Sequence, residues 1–178
     1  MIKHHVVIVA PVHKWDDVRV FHKQANSFKR AGYKVTLMAR VENRETINGI
    51  SIVPAGNATH SRFLRFFMLP KVAIRALRYK GDIYHLHNPD TIIVGLILWC
   101  FRKKIIYDTH EDFTERLRIH KWIPSFLRRP LIYMVRVGEK IISSLSELSV
   151  ATQANVLSRL RGKRLLIGNL PLLSTEQT

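Results

Sequence analysis

The chain has 178 residues, of which 47% are hydrophobic and 24% are charged; this balance excludes a disordered tail and fits one globular domain with a buried core. Its 29 lysines and arginines against 13 acidic residues give a formal net charge of +16. Such a charge favours anionic partners, namely nucleic acid, an anionic membrane surface or phosphorylated ligands.

Cysteine content and apolar runs indicate the compartment. The single cysteine, Cys100, excludes an intramolecular disulfide and fits a reducing compartment. The apolar run at the N-terminus is too short for a signal peptide. The longest apolar stretch, 91–101, is about half of the ~20 residues that a membrane span requires. We therefore expect a cytoplasmic chain in which this stretch is a buried helix.

Apolar runs of strand length alternate with segments of helical periodicity along the chain. In chain order, the predicted strands are 4–10, 33–39, 50–54, a run that ends at His87, 104–108 and 148–152. The predicted helices are 17–32, capped by Asp17 and ended by Gly32, then 61–79, a segment through Trp99, 124–144 and a short one after 152. Strands that are apolar on both faces predict a doubly wound α/β domain, in which helices cover both faces of a mostly parallel sheet.

Polar side chains follow three of the predicted strands, at 13–17, 85–90 and 108–112. In a doubly wound domain, ligands bind beyond the carboxyl ends of the strands, where helix N-termini also point. His85 and His87 share one face of their strand because side chains alternate. The sequence therefore predicts a site at this edge of the sheet.

Each of these residues also has a structural explanation. A histidine near a strand end is often packed and hydrogen-bonded in the core, which applies to both His85 and His87. Asn88 and Asp90 have the residue types that make a turn and cap the next helix, and Asp17 can cap its own helix. Both interpretations remain open for each residue.

The sequence gives little support for a metal site, a glycine-rich nucleotide-binding loop or a serine hydrolase site. His-x-His at a strand end resembles the start of a hydrolase metal site, but the chain after Asp112 offers only His120 and few carboxylates, so we expect no metal. The segment "APVHKWDD" has no glycine, which excludes the dinucleotide fingerprint and the Walker loop. No Ser-His-Asp elbow is found either.

Seven pieces of the sequence, in order, carry a resemblance to a known family. They are "DDVRVFHKQANSFKRAGYKVTLMAR", "GDIYHLHNPDTIIVGL", "KKIIYDTHEDF", "KWIPSFLRRP", a helix with Glu139, "ELSVATQ" and "IGNLP". The set resembles the N-terminal half of family 4 glycosyltransferases, which are retaining enzymes of the glycosyltransferase B fold, here of the bacterial surface-polysaccharide type. The resemblance implies a Rossmann-like domain that binds the acceptor, while a second, C-terminal domain binds the nucleotide-sugar donor.

The resemblance also implies roles for single residues. In the family the second histidine of His-x-His-x-Pro lies beside the transferred sugar, so His87 is the predicted catalytic residue. The Asp-x-Arg and Asp-x-His-Glu pieces fall on 17–19 and 108–111. Asn88 stands where the family has Asp or Glu, which removes a carboxylate from that position. The predicted acceptor-side cleft residues are His13, Asp17, Arg19, His85, Asn88, Asp90, His110 and Glu111.

The resemblance covers 1–171, and 172–178 would begin an interdomain linker or tail. The donor-binding half, with its Glu-x₇-Glu motif and phosphate-binding cations, is expected to lie outside this chain. This domain should therefore bind no cofactor, and the nucleotide sugar should bind the other domain. Without that electrostatic stabilisation of the leaving diphosphate, the isolated chain is expected to be inactive. It could be an expressed domain, a truncated product or the acceptor subunit of a split enzyme.

Cations interleaved with aromatic residues suit the anionic surface of a membrane, where a lipid-linked acceptor would be met. We therefore expect a peripheral protein at the inner face of the cell membrane. The predicted membrane-facing residues are Arg62, Arg65, Lys71, Arg75, Arg78, Lys121, Trp122, Arg128 and Arg129. The alternative is that the apolar residues face the core and the cations form a solvated face.

Another functional class also remains open: a non-catalytic basic module that binds anionic membranes or polyanions. The chain shows no helix-turn-helix, zinc finger or aromatic RNA-binding strand motif, so nucleic acid is not the expected partner.

Overall fold

The computed structural model describes residues 4–56, 62–119 and 123–168. The strands in these ranges are β1 (His5–Lys14), β2 (Lys34–Arg40), β3 (Glu45–Ile47), β4 (Ile50–Pro54), β5 (Ile83–His87), β6 (Lys104–Thr109), β7 (Leu148–Ala151) and β8 (Arg164–Leu166). They form one sheet in the order β3-β4-β2-β1-β5-β6-β7-β8. Neighbouring strands are parallel except β3 and β4, which form an antiparallel pair at one edge.

The helices occupy most of the segments between the strands. They are a π-helix (Val18–Ala25) that continues as α1 (Asn26–Arg30), then α2 (Arg62–Arg78), a 3₁₀ helix (Pro89–Thr91), α3 (Ile92–Cys100), α4 (Phe113–Ile119), α5 (Ser125–Leu145) and α6 (Ala154–Leu157). The prediction of a doubly wound α/β domain is confirmed. The sequence reasoning did not predict β3, β8, α4, the 3₁₀ helix or the π-helical form of the first helix. The predicted domain end at 171 and the tail 172–178 lie outside the described residues.

Strand alternation divides the apolar core between the two faces of the sheet. In β1, Val7 and Val9 pack in a cluster with residues of α2, α3 and α5, whereas Val6 and Ile8 pack on the opposite face. There, Phe21 of the π-helix covers them. The period of two in strand side-chain direction thus places one layer of helices on each face.

β5 and β6 do not follow the prediction that strands are apolar on both faces. Tyr84 and Leu86 of β5 belong to the apolar cluster under α2, α3 and α5. The alternate positions, His85 and His87, point to the face covered by the π-helix. Asp108 of β6 lies directly beside His87 in the sheet register and is likewise buried. Polar side chains therefore replace the apolar core on this part of the second face.

The strand order places this polar region at a reversal in topology. From β1 the chain adds β2 and β4 on one side of the sheet and then crosses to add β5 and β6 on the other side. The crevice between β1 and β5 at the carboxyl ends of the strands is therefore the topological switch point, where ligands bind in open α/β sheets.

α3 is the helix that the apolar stretch 91–101 predicts. Its Val94 and Leu98 are fully buried, and a Cβ atom on Gly95 would lie 2.5 Å from Cδ1 of Ile142 on α5, so the two helices approach closely at this glycine. Among the residues that the structure describes, none of the helices has both the length and the apolar character needed to cross a bilayer.

The packing of α3 predicts the effect of shortening its buried side chain. Leu98→Ala is expected to lower the free energy of unfolding by about 2–5 kcal/mol, because it leaves a cavity between the helix and the sheet. Urea unfolding followed by circular dichroism measures this change. Cys100→Ser, at an exposed position of the same helix, should change stability by less than about 0.5 kcal/mol. Equal effects of the two substitutions would contradict the described orientation of α3.

Candidate functional site

Four histidines from three neighbouring strands meet at the carboxyl edge of the sheet. His13 lies near the end of β1, His85 and His87 lie on β5, and His110 directly follows β6. The rings of His85 and His87 stack with centroids 4.7 Å apart, and those of His87 and His110 stack at 4.9 Å. The His13 ring lies edge-on to His110 at 5.9 Å. These four histidines and Asp108 are called the histidine cluster below.

The Asp108 carboxylate lies at the base of the cluster and is fully buried. Nη2 of Arg19 donates to its two oxygens at 3.0 and 3.3 Å, and the side-chain amide of Gln24 donates to Oδ2. Nε2 of His85 lies 3.4 Å from Oδ2 and Nδ1 of His110 lies 3.5 Å from Oδ1. Burial alone would raise the pKa of Asp108, but the contacts with His85 and the other histidines hold it well below the ordinary value. Asp108 is therefore a buried carboxylate that accepts hydrogen bonds from Arg19 and Gln24 and has two imidazole nitrogens within 3.5 Å.

The π-helix supplies two of these donors and is anchored by Asp17. One carboxylate oxygen of Asp17 accepts hydrogen bonds from the backbone N–H groups of Arg19 and Val20, both at 2.9 Å, so the predicted cap is confirmed. Its other oxygen lies 3.1 Å from Nδ1 of His13. The hydrogen bond with His13 and the bond from Val20 outweigh burial and lower the pKa of Asp17 to about 2.

Asn88 joins the β1 and β6 sides of the site. Its Nδ2 lies 2.8 Å from Nε2 of His13, and its Oδ1 lies 3.5 Å from the backbone nitrogen of His110. Its φ of 67° is in the left-handed region, which asparagine tolerates better than most residues. Asn88 precedes the 3₁₀ helix, but its side chain makes no capping bond and faces the histidines instead.

His87 and His110 are electrically neutral near pH 7. Burial, followed by the nearby His85, lowers the pKa of the fully buried His87 well below its ordinary value. Burial lowers the pKa of His110 to about 4, although Asp108 acts in the opposite direction. Two uncharged imidazoles can exchange hydrogen bonds with hydroxyl groups but provide no positive charge for a phosphate.

The side chains of the site that face solvent do not include His87, the predicted catalytic residue. His87 has no exposed surface, whereas the side chains of His13 and Asp17 are 19% and 31% exposed. Glu111 is exposed and pairs with Arg116 rather than with the cluster. Asp90 is half-buried in the 3₁₀ helix.

Three side chains of the cluster are close enough to hold a metal ion. One ligand atom from each of His85, His87 and Asp108 lies within 4.8 Å of the others. However, Arg19 and Gln24 already donate to the carboxylate, and a guanidinium group repels a cation at that distance. The geometry fits a hydrogen-bonded network better than a metal centre, and the prediction that no metal binds here stays a prediction.

Two residues of the site were not among the predicted cleft residues. The sequence indicated Asp108 only as part of the Asp-x-His-Glu piece, and no sequence pattern indicated Gln24. Arg19 and Gln24 are five residues apart, which in an α-helix separates side chains by about 140°. The i→i+5 geometry of a π-helix instead places such residues on one face, and π-helical turns are frequent at functional sites.

Glu139, part of the resemblance, lies outside the histidine cluster. It is buried on α5, and its Oε1 accepts a hydrogen bond from the Tyr107 hydroxyl at 3.4 Å. Burial raises the pKa of Glu139 to about 7, although Arg159 acts in the opposite direction. Arg159 is held by Asp112, which also caps α4. Asp112 thus joins the start of α4 to Arg159, which follows α6, and Glu139 joins α5 to β6 through Tyr107.

The predicted membrane-facing residues have varied surroundings. Lys71, Arg78 and Arg129 are exposed. Arg75 is exposed too, but its Nη1 donates to the carbonyl of Pro54 at 3.3 Å, and Nε of Arg128 donates to the carbonyl of Ile123 at 3.0 Å. Lys121 and Trp122, and the side chains of Arg62 and Arg65, lie outside the described part of the chain.

Comparison with protein families gives one match. The model of a family described as "Glycosyltransferase Family 4" matches residues 18–162. This range includes β5, β6 and the π-helix, and so nearly the whole candidate site. No curated protein matches the chain by sequence.

Comparison with solved structures gives matches to a similar fold. The sucrose-phosphate synthase of Thermosynechococcus elongatus matches with a TM-score of 0.65 and 16% identity, over 93% of this chain and 48% of that one. A second structure of that synthase matches with a TM-score of 0.61 and 17% identity, over 97% of this chain and 90% of that one. The apo UGT2 of Phytolacca americana matches with a TM-score of 0.59 and 9% identity, over 97% and 53%. These likenesses show the doubly wound fold.

The lowered pKa of His110 predicts a loss of stability in acid. The unfolded chain takes up this proton near pH 6.5, whereas folded His110 takes it up only at about pH 4. The free energy of unfolding therefore falls as the pH falls through this window, with His110 accounting for about 3 kcal/mol of the loss.

Urea unfolding at a series of pH values measures this loss in the wild type and in His110→Gln, a variant with no titratable group at position 110. The variant should lose less stability than the wild type between pH 6.5 and 4. Parallel pH profiles for the two proteins would contradict the burial of a neutral His110.

Proposed function

The chain belongs to glycosyltransferase family 4, and we propose that it is the acceptor-side half of a retaining glycosyltransferase. The proposed reaction transfers a sugar from a nucleotide-sugar donor to a lipid-linked polysaccharide acceptor at the inner face of the cell membrane. The observation that carries the proposal is the histidine cluster at the switch point of the sheet.

The electrostatics of the cluster support hydroxyl binding rather than donor phosphate binding. His87 and His110 are neutral at pH 7 because burial lowers both pKa values. The nearby cation, Arg19, is already paired with Asp108. A diphosphate would find no available positive charge among these residues, whereas sugar and acceptor hydroxyls match neutral imidazoles, an amide and carboxylates.

His87 is the proposed catalytic residue because its position matches the second histidine of the family motif. A ligand would first meet the partly exposed His13 and Asp17, since His87 itself is buried. Asp17, Arg19, His85, Asn88 and His110 would shape the acceptor side of the cleft. Asp90 and Glu111 are proposed only at its rim.

The donor is proposed to bind a second domain. This chain spans 48% of the length of the sucrose-phosphate synthase that it matches. Phosphate-binding cations in another domain would stabilise the charge of the leaving diphosphate, which is usually the largest contribution to catalysis in such transfers. The chain alone is therefore proposed to lack transfer activity.

Exposed apolar residues support the proposed membrane contact. On α5, Phe126 and Tyr133 are 75% and 70% exposed, close in sequence to the exposed Arg129. On α2, Phe67 is 80% exposed and Lys71 is also exposed. Aromatic residues beside cations are the combination that binds the interface of an anionic bilayer.

Reconstitution tests the proposed activity. The chain is combined with a domain that carries Glu-x₇-Glu, encoded by a longer or an adjacent reading frame, and transfer from labelled nucleotide sugars to a lipid-linked acceptor is measured. We expect no transfer by either part alone and recovery by both. His87→Ala should lower the recovered rate by about 100-fold or more, that is by roughly 2.7 kcal/mol or more of transition-state stabilisation.

The matched control is His22→Ala, at an exposed histidine of the π-helix. It should leave the rate within about twofold, as surface substitutions usually do. Equal rates for His87→Ala and the wild type would contradict the role of His87. Failure of every donor domain to restore transfer would leave a non-catalytic binding module.

Liposome flotation tests the membrane contact. The chain should float with anionic vesicles and remain in solution with neutral ones at low salt. Arg129→Glu should weaken binding roughly 30-fold, because reversing one charge near the surface changes the interaction by about 2 kcal/mol. Arg30→Glu makes the same charge change on α1, on the other face of the sheet, and should have a smaller effect. Equal retention on neutral and anionic vesicles would refute the proposal.

A further inference from the structure

One short contact in the histidine cluster joins the rings of His87 and His110. Nδ1 of His87 lies 2.8 Å from Nε2 of His110. Both rings are neutral near pH 7, because burial lowers both pKa values. A neutral imidazole has one N–H and one lone pair, so one of these two nitrogens is protonated and the other accepts.

Asp108 decides which of the two nitrogens donates. Its pKa is held below the ordinary value, so it is a carboxylate, which can only accept hydrogen bonds. Nδ1 of His110 lies 3.5 Å from Oδ1 of this carboxylate. This contact does not meet hydrogen-bond geometry, and Nδ1 of His110 has no hydrogen-bond partner among the described residues. The negative charge of Asp108 nevertheless favours a ring N–H over a lone pair at that distance. His110 therefore carries its proton on Nδ1 and accepts with Nε2.

The assignment for His110 fixes the proton of His87. His87 must donate from Nδ1 to Nε2 of His110, which leaves a lone pair on its own Nε2. That atom is buried and has no hydrogen-bond partner among the described residues. A lone pair accepts a hydrogen bond from a hydroxyl group, whereas a phosphate oxygen would require an N–H.

Asn88 and His13 repeat the arrangement on the β1 side of the site. Oδ2 of Asp17 lies 3.1 Å from Nδ1 of His13, so this ring also carries its proton on Nδ1. Its Nε2 then accepts from the Asn88 amide at 2.8 Å. The short contacts from Asp17 to His13 and Asn88 thus run parallel to those from Asp108 to His110 and His87.

We propose that His110, oriented by Asp108, is a positioning residue that holds His87 in the tautomer with Nδ1 protonated and the lone pair on Nε2. The expected effect of this tautomer on sugar transfer rests on the proposed function. The tautomer part does not, because it concerns the chain itself.

The tautomers are measured directly by ¹⁵N NMR of the ¹⁵N-histidine-labelled chain at pH 7.5, with two-bond and three-bond couplings to the ring protons. Neutral histidine in water prefers the proton on Nε2, so the structure and the ordinary preference give opposite expectations. We expect Nδ1–H for both His87 and His110. Nε2–H on His87 would overturn the proposal.

Two variants test whether His110 is responsible. In His110→Gln, the amide oxygen can still accept from His87, so His87 should keep its Nδ1 proton. In His110→Phe the acceptor is lost, and the His87 signal should move to the Nε2–H form. The control, His22→Gln, should leave the His87 signals unchanged. If His110→Phe does not fold, the wild-type tautomers and the His110→Gln variant still decide the question.

Transfer by the reconstituted enzyme separates this inference from the proposed function. His110→Phe should lower kcat/KM by about 10- to 100-fold, as loss of an orienting partner commonly does, and His110→Gln should recover most of it. If His87 and His110 carry their protons on Nδ1 but no reconstituted enzyme transfers sugar, the proposed function is overturned and the tautomer inference stands. Unchanged kcat/KM in His110→Phe, in an enzyme that transfers sugar, would overturn the positioning role alone.

Discussion

The buried carboxylate of Asp108 is the constraint on which the rest of the site depends. A charge with no exposed surface is stable only when hydrogen-bond donors replace the water that it has lost. Arg19 and Gln24 supply donors from the π-helix, while ring nitrogens of His85 and His110 lie 3.4 and 3.5 Å from the carboxylate oxygens. One carboxylate thus holds a helix against the sheet and lies beside two histidine rings.

The general location of the site could be predicted from the sequence because it follows from topology. Parallel strands end at one edge of the sheet, so the polar residues that follow three apolar runs must lie near one another. His13, His87 and His110 were found in this way, and the hydrogen bonds of Asn88 and Asp17 lie within the same group. The strand and helix order was predictable for the same reason, since hydrophobic periodicity determines which segments can cover a sheet.

The details that could not be predicted depend on local backbone geometry and depth. Gln24 reaches Asp108 because the first helix is π-helical, whereas helical periodicity assumes 3.6 residues per turn. Sequence spacing also gives no measure of burial. His87 and His13 both follow apolar runs, but His87 is fully buried and His13 is partly exposed, which changes the residue that a ligand meets first.

Two buried acids, Asp108 on β6 and Glu139 beside it, have pKa values shifted in opposite directions because their surroundings differ. Asp108 accepts hydrogen bonds from Arg19 and Gln24 and lies beside two histidines, and its pKa is lowered despite burial. Glu139, on the opposite side, accepts a bond from the Tyr107 hydroxyl while burial raises its pKa to about 7. Burial is common to both, so the difference comes from the number and charge of the donors. The face under the π-helix can therefore hold a fixed negative charge and orient neutral imidazoles, whereas the face under α5 favours a neutral carboxyl group and apolar packing.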